Sequence, residues 1–411
     1  MSVFLGRQPI LDIQESIFGF ELLFRKNEYI NSANVDDDVY ASFRTFLNIL
    51  QEFRVNDIIG NNYAFINANH EVINSDAIEF VPKDKFVIEI LENSVINEQL
   101  IDRVVYLKKQ GYVFALDDFV LDKQYLDSFR ILLDKVSYIK VDIKLIDINK
   151  LKSKINILKK TGAKLLAEKV ETKEEFELFK QMGFDYFQGY YFAKPDILKT
   201  HSFDPSKLAI LKIINMVSKG ESIKSIVDMF KANPDLSYSL LRFLNSAAFS
   251  FMNKIGSIRH AITLLGTEQL RKWLLLLSYV SKDKDVSRSP LFQMSVIRAK
   301  VMENLLLKSN PYNPYLAGSA FLTGALSLLP VLFNMPSEKI LHELSLDEDI
   351  SKAISDYDGI LGKLLDFTVA SEKLNMPRME NLSKELMLSL NDVSEAKLSS
   401  YLWLNKIIQS F

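Results

Sequence analysis

The sequence predicts a closed α/β barrel in its first half and an all-helical domain in its second. Three observations carry that expectation. Short apolar runs of strand length recur through the first half, and each ends in a polar side chain: Glu21, Asn67, Glu89, Asp117, Lys140, Glu168 and Gln188. From Asn67 onward these ends stand about 20 to 28 residues apart, roughly the length that a strand, a covering helix and two short loops require. After Pro195 that rhythm stops and long helical patterns replace it.

The opening reads as a strand pair, Gln8-Pro9-Ile10-Leu11-Asp12 leading through a polar turn to a run from Ile17 to Arg25. Residues 42–53 have helical spacing, with Phe43, Phe46, Leu47 and Leu50 on one face. Strand-like runs follow at 63–68, 86–91, 113–119, 138–142, 164–170 and 186–192. Helical patterns at 97–110, 123–134, 146–161 and 173–182 sit between most of them. Such alternation points to a parallel sheet with covering helices. Polar groups at so many strand ends favour a closed barrel, where functional groups gather at the strands' C-terminal face. The run Val113-Phe114-Ala115-Leu116-Asp117-Asp118-Phe119 is the centre of the pattern, because it delivers two adjacent carboxylates.

Residues 196–207 are polar and include Pro205, which places a boundary between a barrel domain over 1–200 and a helical domain over 201–411. Helices are expected at 208–219, 222–232, 237–245, 258–265, 268–281 and 290–308, with others near 337–346, 361–374 and 394–409. Residues 309–337 carry no charge, and 315–335 are long enough to span a bilayer. Pro330 breaks that stretch, while Gly318, Ser319, Thr323, Gly324 and Ser327 dilute it, so a buried helix pair is expected and no membrane span.

At 411 residues the chain has material for two or three domains. Its 50 basic and 52 acidic residues leave a net charge of −2, with no basic stripe for tracking a nucleic-acid polymer. With no cysteine, disulfides, thiol nucleophiles and thiolate metal sites are excluded. A cytoplasmic protein is expected, because the first nine residues lack the basic flank and apolar core of a signal peptide.

Several carboxylates and an asparagine amide at one end of a barrel suit a hard divalent cation such as Mg²⁺ or Mn²⁺. Two such ions can activate water and stabilise the leaving oxygen of a phosphodiester. Lys140 could orient the water or steady a phosphate, and Glu168 could take the proton. Any one of these residues alone would be a helix cap, a turn residue or a solvated charge. Their order along successive strand ends is what points to a site.

The first half resembles the EAL-domain family, whose active members hydrolyse cyclic di-GMP to the linear dinucleotide pGpG. The motifs appear in order: Gln8-Pro9-Ile10, then Glu21-Leu22-Leu23-Phe24-Arg25 with Leu22 in place of alanine, and Phe65-Ile66-Asn67. Glu89-Ile90-Leu91-Glu92, Asp117-Asp118-Phe119, Lys140-Val141-Asp142, Ala167-Glu168-Lys169-Val170-Glu171 and Gln188-Gly189-Tyr190 complete the set. The resemblance implies a TIM-like (β/α)8 barrel with one reversed strand and a two-metal site of Mg²⁺ or Mn²⁺. Glu21, Asn67, Glu89, Asp117 and Asp118 would hold the metals, Lys140 would position the water, and Glu168 would be the base. Gln8, Arg25 and Gln188 would meet the substrate, Arg25 at a phosphate. Glu92 would brace the loop after the double aspartate, with Asp142 and Glu171 in support. It also implies homodimers formed near that loop.

Two departures stand out. Active members follow the double aspartate with a glycine-rich loop, whereas this chain has Val120-Leu121-Asp122-Lys123-Gln124. Lys169 replaces a glycine beside the implied base and either crowds the metals or points outward. These leave a second reading open, a catalytically degenerate barrel acting as a cyclic di-GMP sensor or a protein scaffold. In the second half, Asn233-Pro234-Asp235-Leu236-Ser237, Leu240 to Ala247, Ile258-Arg259-His260-Ala261-Ile262 and Leu264-Leu265-Gly266 resemble the HDOD domain, a helical relative of the HD phosphohydrolases. Ser327 and Leu328 stand where an HD hydrolase needs its His-Asp pair. None of the four histidines, His70, His201, His260 and His342, precedes an aspartate. His260 is expected in the core or at a helix cap. The resemblance implies a domain that binds a protein partner or regulates the barrel, not a second hydrolase.

Overall fold

Asp12 ends the first strand by turning the chain on itself: its Oδ1 accepts the backbone N–H groups of Gln14 at 3.0 Å and Ser16 at 2.9 Å. This turn joins β1 (Val3–Asp12) to the antiparallel β2 (Ile17–Lys26). The structure is a computed structural model that describes residues 3–26, 43, 47, 55–120, 129–193, 205–244, 255–279, 286–333, 337, 341, 344 and 346–408. By its contacts the chain divides into two units, Met1–Lys194 and Pro195–Phe411.

In the first unit β3 (Tyr63–Ala68), β4 (Phe86–Ile90), β5 (Val113–Leu116), β6 (Tyr138–Asp142), β7 (Lys164–Glu168) and β8 (Tyr186–Gln188) follow β2. All eight close into a barrel in sequence order. Neighbours from β2 to β8 are parallel, and β1 runs antiparallel to both β2 and β8. The reversed strand is therefore β1.

Side chains alternate between the two faces of a strand, so residues two apart share the barrel interior. One interior layer is Ile10, Phe65, Val87, Ala115 and Leu166, each at most 1% exposed. Below it Phe18 stacks on Tyr186 with ring centroids 4.1 Å apart, and Tyr138 meets Phe65 edge-on at 5.2 Å. Two residues beyond Phe65, Val87, Ala115 and Leu166 come Asn67, Glu89, Asp117 and Glu168. The apolar layer and the polar rim are thus successive steps of one strand period.

The covering helices start where capping side chains satisfy their first N–H groups. Asn97 caps Glu98–Lys109, Asp147 caps Ile148–Lys160, and Thr172 forms a capping box with Glu175 at the start of Lys173–Met182. Each buries an apolar stripe, as Leu100, Val104 and Leu107 do. Burying each such side chain stabilises by about 1.5–3 kcal/mol. The helix expected over 42–53 is described only at Phe43 and Leu47, both helical; of 123–134, the description begins at Phe129, before a 3-10 turn Arg130–Leu132. Strands β5 and β7 end earlier than expected because Asp118 (φ 40°) and Lys169 (φ 58°) turn left-handed and leave the ladder.

The second unit is helical throughout its described residues. Pro205–Ser218, Ile223–Lys231, Pro234–Leu244, Ile258–Leu265, Thr267–Ser278, Pro290–Ser309, Gly359–Glu372 and Leu390–Ile408 fall on expected helices. Glu348–Asp356 and Met376–Leu386 were not foreseen. The uncharged stretch forms Pro314–Leu326 and Leu329–Phe333, and 61% of its most apolar window is buried within the protein. It packs as core: an added Cβ on Gly324 would lie 2.7 Å from the Ala299 Cα of Pro290–Ser309.

Candidate functional site at the barrel rim

Every strand of the barrel delivers one polar side chain to the same rim: Gln8 from β1, Glu21 from β2, Asn67 from β3, Glu89 from β4, Asp117 just past β5, Lys140 from β6, Glu168 from β7 and Gln188 from β8. Lys140 is the hub. Its Nζ lies 2.6 Å from Glu89 Oε1, 2.7 Å from Asp117 Oδ1, 3.1 Å from Glu168 Oε1 and 3.6 Å from Glu21 Oε2. The register explains why a long side chain is needed. Lys140 pairs with Leu166 and Asp142 with Glu168, so Lys140 starts one layer below the carboxylates and reaches up to them.

The other half of the ring is held by amides. Gln188 Nε2 donates to Glu21 Oε2 at 2.5 Å and to Gln8 Oε1 at 2.8 Å, and Asn67 Nδ2 donates to Glu21 Oε1 at 3.3 Å. Asn67 Oδ1, Glu89 Oε2, Glu168 Oε2 and Gln188 Oε1 are buried without a hydrogen-bond partner. Buried oxygens without donors are costly unless something positive meets them.

Electrostatics follow from burial. Glu89 and Glu168 have pKa values pushed well above the usual carboxylate range, first by burial and then by neighbouring acids, against the pull of Lys140. Burial opposes the charged form of Lys140, yet Asp117, Glu168, Glu21 and Glu89 together outweigh it and hold the ammonium's pKa well above its ordinary value. Asp118 is raised by burial and by Asp117, and eased by Lys169. Four carboxylates face one ammonium, which leaves an excess of negative charge.

The donor set fits hard divalent cations: it is all oxygen, it is acid-rich, and it includes unpartnered buried oxygens. The carboxylates are drawn onto Lys140, and among the described residues no three acidic or histidine side chains are spaced as a ready-made metal cage. An ion would have to be met by movement of these side chains around Lys140.

The remaining sequence-derived residues spread outward. Asp142 is 2% exposed; its Oδ1 accepts the Lys144 backbone N–H at 2.8 Å and its Oδ2 pairs with Lys169 Nζ. Glu92 is exposed and close enough to raise the Asp118 pKa. Glu171 is exposed, and its N–H donates to Glu175 Oε2 at 2.7 Å. The Arg25 side chain and residues 121–124 of the altered loop lie outside the described residues. The Lys169–Asp142 pair was not anticipated; its only trace in the sequence is a lysine where the resembled motif has glycine.

In the helical unit, Ser327 caps Pro314–Leu326 and is fixed by Arg298, whose NH1 donates to Ser327 Oγ at 2.8 Å. The same guanidinium grips Glu372 through two bonds of 2.9 and 2.6 Å. A buried ion pair occupies this part of the helical core. His260 is exposed rather than buried, in the first turn of Ile258–Leu265, where Ser257 Oγ accepts its backbone N–H at 3.2 Å.

A barrel with its first strand reversed, an acid-rich polar rim drawn from every strand and a following helical unit are the features of an EAL-type domain joined to an HDOD-type domain. The EAL domain model matches residues 64–195 and the HDOD domain model residues 207–333. YuxH of Bacillus subtilis, an uncharacterized protein, is 30% identical over 415 residues, covering 100% of both chains. The cyclic di-GMP phosphodiesterase CdgJ of Vibrio cholerae is also 30% identical over 415 residues, covering 99% of this chain and 94% of that one. A standalone EAL protein from Vibrio cholerae O395, solved with c-di-GMP bound, is 24% identical, with a TM-score of 0.38 over 47% of this chain and 91% of that one. The chain belongs to the EAL–HDOD family.

Proposed function

We propose that the barrel is a metal-dependent phosphodiesterase that opens cyclic di-GMP to pGpG. The observation that carries this reading is the rim itself, where four carboxylates from four strands converge on one buried lysine and amides from three more strands complete the ring. The full-length likeness to a cyclic di-GMP phosphodiesterase supports it. Glu21, Asn67, Glu89, Asp117 and Asp118 would hold Mg²⁺ or Mn²⁺. Such ions supply the positive charge that makes water a nucleophile at neutral pH and stabilises the leaving oxygen.

The chain's own residues do the rest. Glu168 keeps Oε2 free of protein donors, and burial makes its carboxylate more basic than a solvated one, so it takes the water's proton as the oxygen adds to phosphorus. The scissile P–O bond breaks and the departing oxygen gains a proton. Lys140 stays charged and holds the attacking oxygen or the phosphate in line. Gln188, whose amide also donates to Gln8, fixes Glu21, and both glutamines would face the substrate, with Arg25 at a phosphate. The helical unit would act through a protein partner, since Ser327 and Leu328 stand where the resembled hydrolases carry their His-Asp pair.

The test is pGpG release from cyclic di-GMP by the full chain with Mn²⁺ or Mg²⁺. Glu168→Gln is expected to lower turnover by about 10²–10⁴-fold while binding persists. No pGpG from the native chain, or equal turnover by the variant, sinks the catalytic reading. The Lys169–Asp142 pair and the altered loop favour one alternative, a cyclic di-GMP sensor, which predicts calorimetric binding without product.

A further inference from the structure

Lys169 follows Glu168 at the end of β7 with φ 58°, a backbone that costs little for glycine and more for lysine. The turn is pinned from the next strand: the Val170 N–H donates to the Gln188 carbonyl at 3.0 Å, and the Tyr191 N–H to the Val170 carbonyl at 3.3 Å. So fixed, Lys169 is exposed along much of its side chain but stays at the rim. Its ammonium reaches the Asp142 carboxylate, whose side chain is only 1% exposed while the lysine's is 55% exposed. The same charge acts on Asp118 and Glu168.

The two lysines pair with different acids. Lys140 contacts Glu21, Glu89, Asp117 and Glu168, and Asp118 is not among its ion pairs. The Phe119 N–H donates to the Lys140 carbonyl at 2.8 Å, which sets the Asp117-Asp118 turn against β6, the strand whose Asp142 Lys169 reaches. We propose that Lys169 is a built-in cation that competes with a divalent metal ion for the Asp118 side of the pocket and so weakens metal binding there. This inference rests on the metal-dependent reading above. A positive charge a few ångströms from a divalent ion, partly screened by solvent, changes its affinity on the order of tenfold.

The test is a calorimetric titration of Mn²⁺ into the full chain without nucleotide, beside Lys169→Gly, Lys169→Met and Lys169→Arg. Glycine removes the charge and relieves the backbone, methionine removes the charge alone, and arginine keeps it. Lys169→Gly and Lys169→Met are each expected to bind Mn²⁺ about tenfold tighter, with Lys169→Arg close to the native chain. Thermal melts with Mn²⁺ should show the same order. Equal affinities across the four proteins overturn the proposal and leave the metal site standing. Tighter binding by the glycine variant alone overturns it too, because backbone relief would then be the cause. Mn²⁺ binding by none of them removes the metal-dependent reading and this inference with it.

Discussion

Lys140 shows what one residue can hold together. Its ammonium has no exposed surface and stands among four carboxylates, three of them within 3.1 Å. Removing one member of a buried charged set leaves the others uncompensated, at about 3–5 kcal/mol. Lys140→Met should therefore destabilise the barrel by about that much in chelator near pH 7.5. The acids can escape by taking up protons, and Glu89 and Glu168 are already raised by burial. A carboxyl whose folded pKa exceeds its unfolded value stabilises in acid and loses that contribution as pH rises through the folded value. The deficit of the variant should then shrink as pH falls toward about 5, and millimolar Mn²⁺ should reduce it near neutrality. Urea denaturation at both pH values measures this. A variant within about 1 kcal/mol of the native chain at pH 7.5 would mean that Lys140 is not the counter-charge of the rim.

At the scale of elements, what could be read in advance is what repeats. The polar rim was legible because Asn67, Glu89, Asp117 and Glu168 each sit one strand period beyond an apolar interior residue. The covering helices were legible from their spacing and caps, as with Thr172 and Glu175. Where β5 and β7 stop was not, because Asp118 and Lys169 take left-handed backbones and neither residue type announces one. The direction of Lys169 was hidden for the same reason. Two helices escaped: Glu348–Asp356 lies in an acidic cluster, and Met376–Leu386 carries a proline in its first turn. Of the two places expected for His260, core or helix cap, it takes the capped first turn with its side chain exposed, since a polar side chain on a half-apolar helix does not reveal which way the helix faces. One element contact yields its own prediction. A Cβ on Gly189 would fall 1.9 Å from the Val170 carbonyl oxygen, so Gly189→Ala must push apart β8 and the turn after β7. The expected loss is about 1–3 kcal/mol, together with weakened Mn²⁺ binding as Gln188 loses its hold on Glu21. A variant with unchanged urea midpoint and Mn²⁺ affinity would show that this close approach is dispensable.

For the whole molecule, a net charge of −2 conceals buried charge of opposite character in the two units. The barrel rim holds surplus acid, while the helical core holds Arg298 and Lys397 near Glu372. Lys397 is 4% exposed and donates to the Ser371 carbonyl at 2.8 Å; burial lowers its pKa to about 7, with Glu372 pulling the other way. An unfolded lysine holds its proton up to about pH 10.4. Between those values the unfolded chain binds a proton that the folded chain has released, so stability rises with pH. From about pH 7 to 9 this one group should add about 2 kcal/mol. The molecule carries its own reporter, because its two tryptophans, Trp273 and Trp403, both lie in the helical unit, Trp403 on the same helix as Lys397. Tryptophan fluorescence during urea denaturation should show the native chain gaining about 2 kcal/mol over Lys397→Met across that range. The comparison of slopes matters, not of absolute stabilities, since methionine also gives up the bond to Ser371. Parallel slopes for the two proteins would mean that Lys397 keeps its proton in the folded helical unit, with Glu372 outweighing the cost of burial.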